Sequence, residues 1–240
     1  MSCRFYCTYP LVQGVKFRTH SPEYLMEKIK YLVKTYQMES AIFRDPIFTL
    51  NMDRIDRFCD LILQKKMHFT WICETHPKFL SQALIKKMSE AGCNAIKIGI
   101  ESGSDDVLNQ SHRAKADFSY QEEMIRVCEK NGIDILAFYI LGYFSDTPKT
   151  IEETIKYAIA LNTLGAQFTV ATPYPGTPWH SELSKNNEIY HLHPDFSRYN
   201  QYSLVYNHPN LSEKQLNFLK EKAYRDYYFR WGYIKKHIMK

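Results

Sequence analysis

Cysteine is sparse in this chain, six in 240 residues at positions 3, 7, 59, 73, 93 and 128, and that spread excludes a disulfide scaffold. Long apolar runs are lacking as well. None is long enough to cross a bilayer and no secretory leader pattern opens the sequence, so a reducing cytoplasm is the expected compartment. In such a compartment a close cysteine pair points to a metal or redox site before a bridge. Internal repeats and low-complexity tracts are also missing. Strong charge of one sign is absent from the body: the net charge is +5, yet residues 214–240 hold eight Lys or Arg against two acids, a local +6 that leaves about −1 for the rest. At 45% hydrophobic and 24% charged, the chain can bury one sizeable core.

What is present alternates. Short apolar runs at residues 40–45, 68–74, 95–101, 135–141 and 167–172 predict five strands, and amphipathic stretches of helical length lie between them. Ser21-Pro22-Glu23 opens the first helix, with Tyr24, Ile29, Leu32, Val33 and Tyr36 as its apolar stripe. Helices follow near 53–65, 77–91, 120–131 and 147–164, two of them stopped by Ala91-Gly92 and Asn131-Gly132. An irregular segment from about 180 to 208 precedes a last helix from about 212. Such alternation requires a parallel sheet, either doubly wound or barrel-like. Both place functional groups at the carboxyl ends of strands, where Asp45, Glu74, Glu101, Gly142 and Tyr174 fall. Taken singly, carboxylates there also serve as helix caps.

Four segments go further when read together: Phe43-Arg-Asp-Pro-Ile-Phe-Thr49, Trp71-Ile-Cys-Glu-Thr75, Gly99-Ile-Glu-Ser-Gly-Ser104 and Thr172-Pro-Tyr-Pro-Gly-Thr177. With the Cys3 and Cys7 pair they resemble, in order and spacing, the radical S-adenosylmethionine (radical SAM) enzymes. The branch is the one that usually carries a cobalamin-binding domain ahead of the radical core and includes magnesium-protoporphyrin ester cyclases and methyltransferases. The resemblance implies an α/β fold, a partial (β/α) TIM-like barrel of the radical SAM type with its first strand missing and a C-terminal helical extension. Its core would run over 1–183, followed by an irregular segment and a basic aromatic helix over 184–240.

In that family three thiolates hold a [4Fe-4S] cluster, because a thiolate is the soft anionic ligand such iron prefers. The open iron chelates S-adenosylmethionine, whose cleavage starts radical chemistry such as methyl transfer, rearrangement or cyclisation. Two alignments of the opening compete. One puts Pro10, which has no donor atom for iron, at the third position; the other treats Cys3 and Cys7 as the second and third ligands, with the first upstream of Met1. The Tyr6-Cys-Thr-Tyr-Pro-Leu-Val-Gln-Gly14 run and the Ser21-Pro-Glu23 helix start favour the second. For S-adenosylmethionine, the resemblance implies Arg44 and Asp45 at the methionine amino group and Glu101 at the ribose or methionine head. It further implies Tyr6 at adenine, walled by Gly142 and Tyr174, with Glu74 as a further polar contact. A turn reading Gly142-Tyr-Phe-Ser-Asp-Thr147 departs from the family's Pro-Gly there. Implied partners are a small-molecule substrate, a reductant such as flavodoxin or ferredoxin, and cobalamin through a domain absent from this chain.

Several features have blander readings. Cys59 and Cys128 fall in helices and are expected to pack as small apolar groups, while Cys73 is expected to face the barrel interior. The nine histidines show no paired metal spacing. Aromatics between Tyr224 and His237 recur at helical spacing, which predicts packing on the barrel with the lysines solvated; nucleic-acid binding through stacking is the lesser alternative. A cluster-free barrel serving as a binding or scaffold module is the second functional reading.

Overall fold

A computed structural model describes residues 5–113 and 117–237, so Cys3 lies outside the described residues. Two helices come first, α1 (Tyr9–Gln13) and α2 (Pro22–Tyr36), followed by strand β1 (Ser40–Ile42), α3 (Met52–Gln64) and β2 (Thr70–Thr75). Then come α4 (Gln82–Glu90), β3 (Cys93–Glu101), α5 (Asp105–Gln110), α6 (Phe118–Lys130), β4 (Asp134–Leu141), α7 (Pro148–Leu161) and β5 (Gly165–Val170). The chain ends in α8 (Pro178–Lys185), α9 (Asn187–Tyr190), α10 (Glu213–Tyr228) and α11 (Trp231–His237). Side-chain caps set the helix starts: Ser21 accepts from the Tyr24 N–H, Asn51 from Arg54, Ser81 from Leu84 and Asp117 from Tyr120. Ser81 also splits the expected 77–91 helix, leaving Pro77–Phe79 as a single 3-10 turn.

All five strands are parallel in the order β1-β2-β3-β4-β5. A parallel sheet in strict sequence order, wrapped by helices, is the partial (β/α) barrel expected from the alternation. Its helix-facing side forms the core: Trp71, Phe58, Phe48, Tyr139 and Phe168 are fully buried, and the Trp71 indole donates to the Ala91 carbonyl at 2.7 Å. Cys73 shares the Trp71 face and is fully buried with it, so it belongs to the helix layer and not to the barrel interior. Glu74, one residue on, takes the interior side. Cys59 and Cys128 are buried thiols, and burial pushes each up to about 12.

Helix α2 departs from its expected stripe. It buries Met26 and Ile29, whereas Tyr24, Leu32 and Tyr36 stay exposed, because the three-residue β1 beside it covers little surface. The opposite edge is closed. Along β5 the outward backbone groups belong to residues 166, 168 and 170. The Tyr228 hydroxyl accepts from the Ala166 N–H at 2.9 Å and donates to the Ala166 carbonyl at 2.8 Å. Tyr224 does the same for Phe168, at 3.1 Å both ways, and the Val170 N–H reaches the Gln201 carbonyl at 2.7 Å. Tail aromatics therefore pack on the barrel. Tail cations also engage it: Lys222 pairs with Glu152 at 3.0 Å, and Lys236 with Glu129 at 2.9 Å.

Candidate active site

The short turn that carries Cys7 is fixed on three sides. Phe5 packs against the rings of His112 at 4.4 Å and Trp179 at 6.3 Å, and its carbonyl accepts the Trp179 N–H at 3.1 Å. Tyr6 meets Tyr143 edge-on at 5.4 Å. Tyr9 donates its hydroxyl to the Arg44 carbonyl at 2.9 Å, and its N–H points at the Cys7 Sγ at 3.4 Å. An N–H aimed at sulfur favours the thiolate and is one of the levers that tune an iron-sulfur site.

Cys7 opens onto a cavity of about 490 Å³ at the carboxyl ends of β1, β2 and β3. Arg44, Asp45, Thr75, His76, Gly99, Glu101 and Arg113 line it with the α1 segment. That volume suits a small-molecule ligand. Glu101 is the most constrained of these groups. It is a non-glycine residue at φ 71°, where a register shift between β3 and β4 turns its carboxylate back over the strand. Gly99 makes this possible, since a Cβ there would stand 2.8 Å from the Glu101 Oε1. Glu101 then holds Arg113 at 3.0 Å, and both side chains are largely buried. Backbone strain kept at a site of converging charges is a mark of function. His76 faces the same cavity as a neutral imidazole, pushed down to about 4 by burial, with Arg113 and Lys78 adding to the shift. Its Nδ1 accepts the Lys78 N–H at 3.2 Å.

Next to this cavity, the β4–α7 turn is built around one carboxylate. Asp146 accepts the N–H groups of Gly142 and Tyr143, both at 2.9 Å, and the Thr150 hydroxyl at 2.6 Å. Burial lifts it to about 6 against those hydrogen bonds. Gly142 sits at φ 81°, and a Cβ there would meet Leu216 of α10 at 2.8 Å. Tyr143 is buried with its hydroxyl 3.5 Å from the Glu101 Oε2. Between this turn and the cysteine turn lies a small cavity of about 60 Å³, walled by Tyr6, Tyr143 and Ser145. The Ser145 hydroxyl there is buried and has no hydrogen-bond partner among the described residues.

Of the residues singled out in the sequence, Cys7, Arg44, Asp45 and Glu101 share the large cavity, and Tyr6 walls the small one. Glu74 lies beside the large cavity, held by Arg44 at 2.9 Å and Lys97 at 3.7 Å. Gly142 and Tyr174 stand at the ends of β4 and β5 outside both linings; the Tyr174 carbonyl closes its own turn by accepting from the Thr177 N–H and hydroxyl. Sequence reasoning missed Tyr9, His76, Gly99, Arg113 and Tyr143. Among these, His76 was findable, since it directly follows a strand end.

A parallel partial barrel with a thiol and converging charges at its carboxyl face defines a barrel that binds its cofactors there. The radical SAM superfamily model matches residues 2–158, more than half of the chain, and the chain belongs to that family. Membership carries a [4Fe-4S] cluster and S-adenosylmethionine as the family's cofactors. The residues present fit them: a hydrogen-bonded thiol at the rim, carboxylates for ammonium and hydroxyl donors, and an unpartnered buried hydroxyl in the adjoining slot. An uncharacterised methyltransferase from Pyrococcus horikoshii is 29% identical over 225 residues, covering 94% of this chain and 48% of the relative. The anaerobic magnesium-protoporphyrin IX monomethyl ester cyclase of Rubrivivax gelatinosus is 24% identical over 186 residues, covering 77% and 33%. Thus the chain spans about half or less of the curated relatives it matches. Its fold matches that of the radical S-adenosylmethionine methyltransferase TsrM from Kitasatospora setae, solved with cobalamin and a [4Fe-4S] cluster, at a TM-score of 0.69 and 15% identity over 78% of this chain and 36% of that one. No helix among the described residues is long and apolar enough to cross a membrane.

Proposed function

We propose that this chain is the radical barrel of an enzyme that begins methyl transfer, rearrangement or cyclisation on a small molecule in a reducing compartment such as the cytoplasm. The carrying observation is the shared cavity of Cys7, Asp45 and the strained Glu101. Cys3 and Cys7 would hold the [4Fe-4S] cluster at its mouth, and the cluster, when bound, supplies the electron for reductive cleavage of S-adenosylmethionine. Arg44 and Asp45 would orient the methionine end. Glu101, aimed by Arg113, would accept hydrogen bonds from the ribose or the ammonium. Tyr6 would meet the adenine, the Gly142 and Tyr174 turns would back that side from outside the two cavities, and Glu74 would order Arg44. A flavodoxin or ferredoxin would deliver the electron. We assign cobalamin, where the reaction calls for it, to a domain other than this barrel.

Anaerobic reconstitution tests the reading. Two thiolates hold a cluster poorly, so iron and sulfide are expected below a full complement, abolished in Cys7→Ala, with S-adenosylmethionine perturbing the cluster's electron paramagnetic resonance spectrum. Background iron together with no binding of S-adenosylmethionine by folded protein would leave a cluster-free binding barrel instead.

A further inference from the structure

The β4–α7 turn is held from outside as well as by Asp146. The Nε2–H of the buried His208 donates to the Tyr143 carbonyl at 2.7 Å, while its Nδ1 accepts the Asn210 N–H at 3.1 Å. Those two bonds define a single neutral tautomer. Asn210 in turn donates its side-chain amide to the Asp146 carbonyl at 3.1 Å, and the Tyr206 hydroxyl faces the Gly142 carbonyl at 3.4 Å. Three carbonyls of one five-residue turn, those of 142, 143 and 146, are therefore satisfied by one short segment far along the chain. Tyr143 extends from this turn with its ring on Tyr6 and its hydroxyl toward Glu101.

We infer that His208, supported by Asn210, is a positioning residue for the adenosine half of S-adenosylmethionine: it strap-holds Tyr143, and through Tyr143 sets Tyr6 and Glu101. The inference rests on the proposed assignment of Tyr6, Glu101 and Gly142 to that half of the cofactor. A turn whose glycine sits at φ 81° and whose Gly142 and Asp146 carbonyls lose their partners without this segment has other local arrangements open to it, the Tyr143 carbonyl alone keeping a bond within the turn, from the Asp146 N–H at 2.7 Å. Fixing it beforehand spares the ligand the cost of ordering it. The 206–210 segment supplies that order without lining either cavity of the site.

The test is binding of 5′-deoxyadenosine to the full chain, without cluster, by titration calorimetry, in wild type, His208→Phe, His208→Gln and Asn210→Ala. The glutamine amide places a donor where Nε2–H stands, whereas phenylalanine fills the space without one. Removing one hydrogen bond that orders a binding turn is expected to weaken affinity about tenfold in His208→Phe and about threefold in Asn210→Ala. His208→Gln should return to within about twofold of wild type, a rescue that loss of packing alone does not explain. If His208→Phe fails to fold, Asn210→Ala and the glutamine variant still decide the matter. Equal affinity in folded wild type and variants overturns the strap and leaves the cofactor site standing. No binding by the wild-type chain overturns the adenosine site itself, and the strap with it.

Discussion

At the scale of single residues, the site is a set of charges and one neutral ring held in an apolar frame. His76 is the clearest case: its ring is mostly buried, it caps a 3-10 turn through Nδ1, and it is pushed down to about 4. A histidine whose folded value lies below its unfolded value of about 6.5 takes up a proton more readily when unfolded, so stability falls as pH drops through that window. By pH 5 the loss amounts to about 1–2 kcal/mol, allowing for partial solvent access. His76→Asn keeps a capping oxygen and removes the titration. Denaturant midpoints of wild type and variant should thus converge near neutrality and separate toward pH 5, with wild type the weaker. Asp146, lifted to about 6, acts in the opposite direction but cancels in the comparison. Parallel midpoints across the range would show that His76 is not the buried neutral group described. Asp45 and Glu101 were legible in the sequence because strand ends of a parallel sheet share one face, and Cys7 because it stands close to a second cysteine. Arg113 and Tyr143 were not, because what brings them in is the backbone twist at Glu101 and the course of loops, neither of which leaves a periodic signal; His76 follows a strand end and was open to the same reading.

At the scale of elements, the two sheet edges solve one problem differently. An exposed parallel edge is a row of unpaired donors and acceptors that invites association. On β5 that row is met by tyrosine hydroxyls of α10, and the match has a geometric basis. Four helical residues rise about 6.0 Å and two strand residues about 6.6 Å, so Tyr224 and Tyr228 fall in step with Phe168 and Ala166. A hydroxyl both donates and accepts, which lets one side chain serve both backbone groups of one residue. The double variant Tyr224→Phe, Tyr228→Phe keeps the rings and removes the four bonds. It should cost about 1–2 kcal/mol per tyrosine and accelerate amide exchange at Ala166 and Phe168. The Ala171 amide, bonded to Leu141 on the other side, serves as the internal control. Unchanged exchange at 166 and 168 would mean that water serves this edge as well as tyrosine does. Strands and most helices were readable from apolar runs and caps. This pairing was not, since a tyrosine at helical spacing gives the same sequence signal whether its hydroxyl meets water or a strand.

At the scale of the molecule, the question is whether residues 1–183 and 184–240 fold as one unit. Composition separates a neutral body from a basic tail, yet the contacts join them. Leu216, Leu219, Ala223 and Tyr227 of α10 are buried, Leu216 abuts Gly142, and His208 holds the turn behind Glu101. Burial of Leu-sized or Tyr-sized side chains is worth about 1.5–3 kcal/mol each, so these positions together approach the whole stability of an ordinary domain, roughly 5–15 kcal/mol. On that arithmetic residues 1–183 alone lack the margin to fold, because removing the rest uncovers an apolar face and opens the β5 edge together. The full chain should melt in one transition, with far-UV circular dichroism and tryptophan fluorescence coinciding. The fragment should show no cooperative melt and should aggregate. A soluble 1–183 fragment with a sharp transition of its own would instead make the tail an accessory, and the His208 strap would then hold a turn already ordered without it.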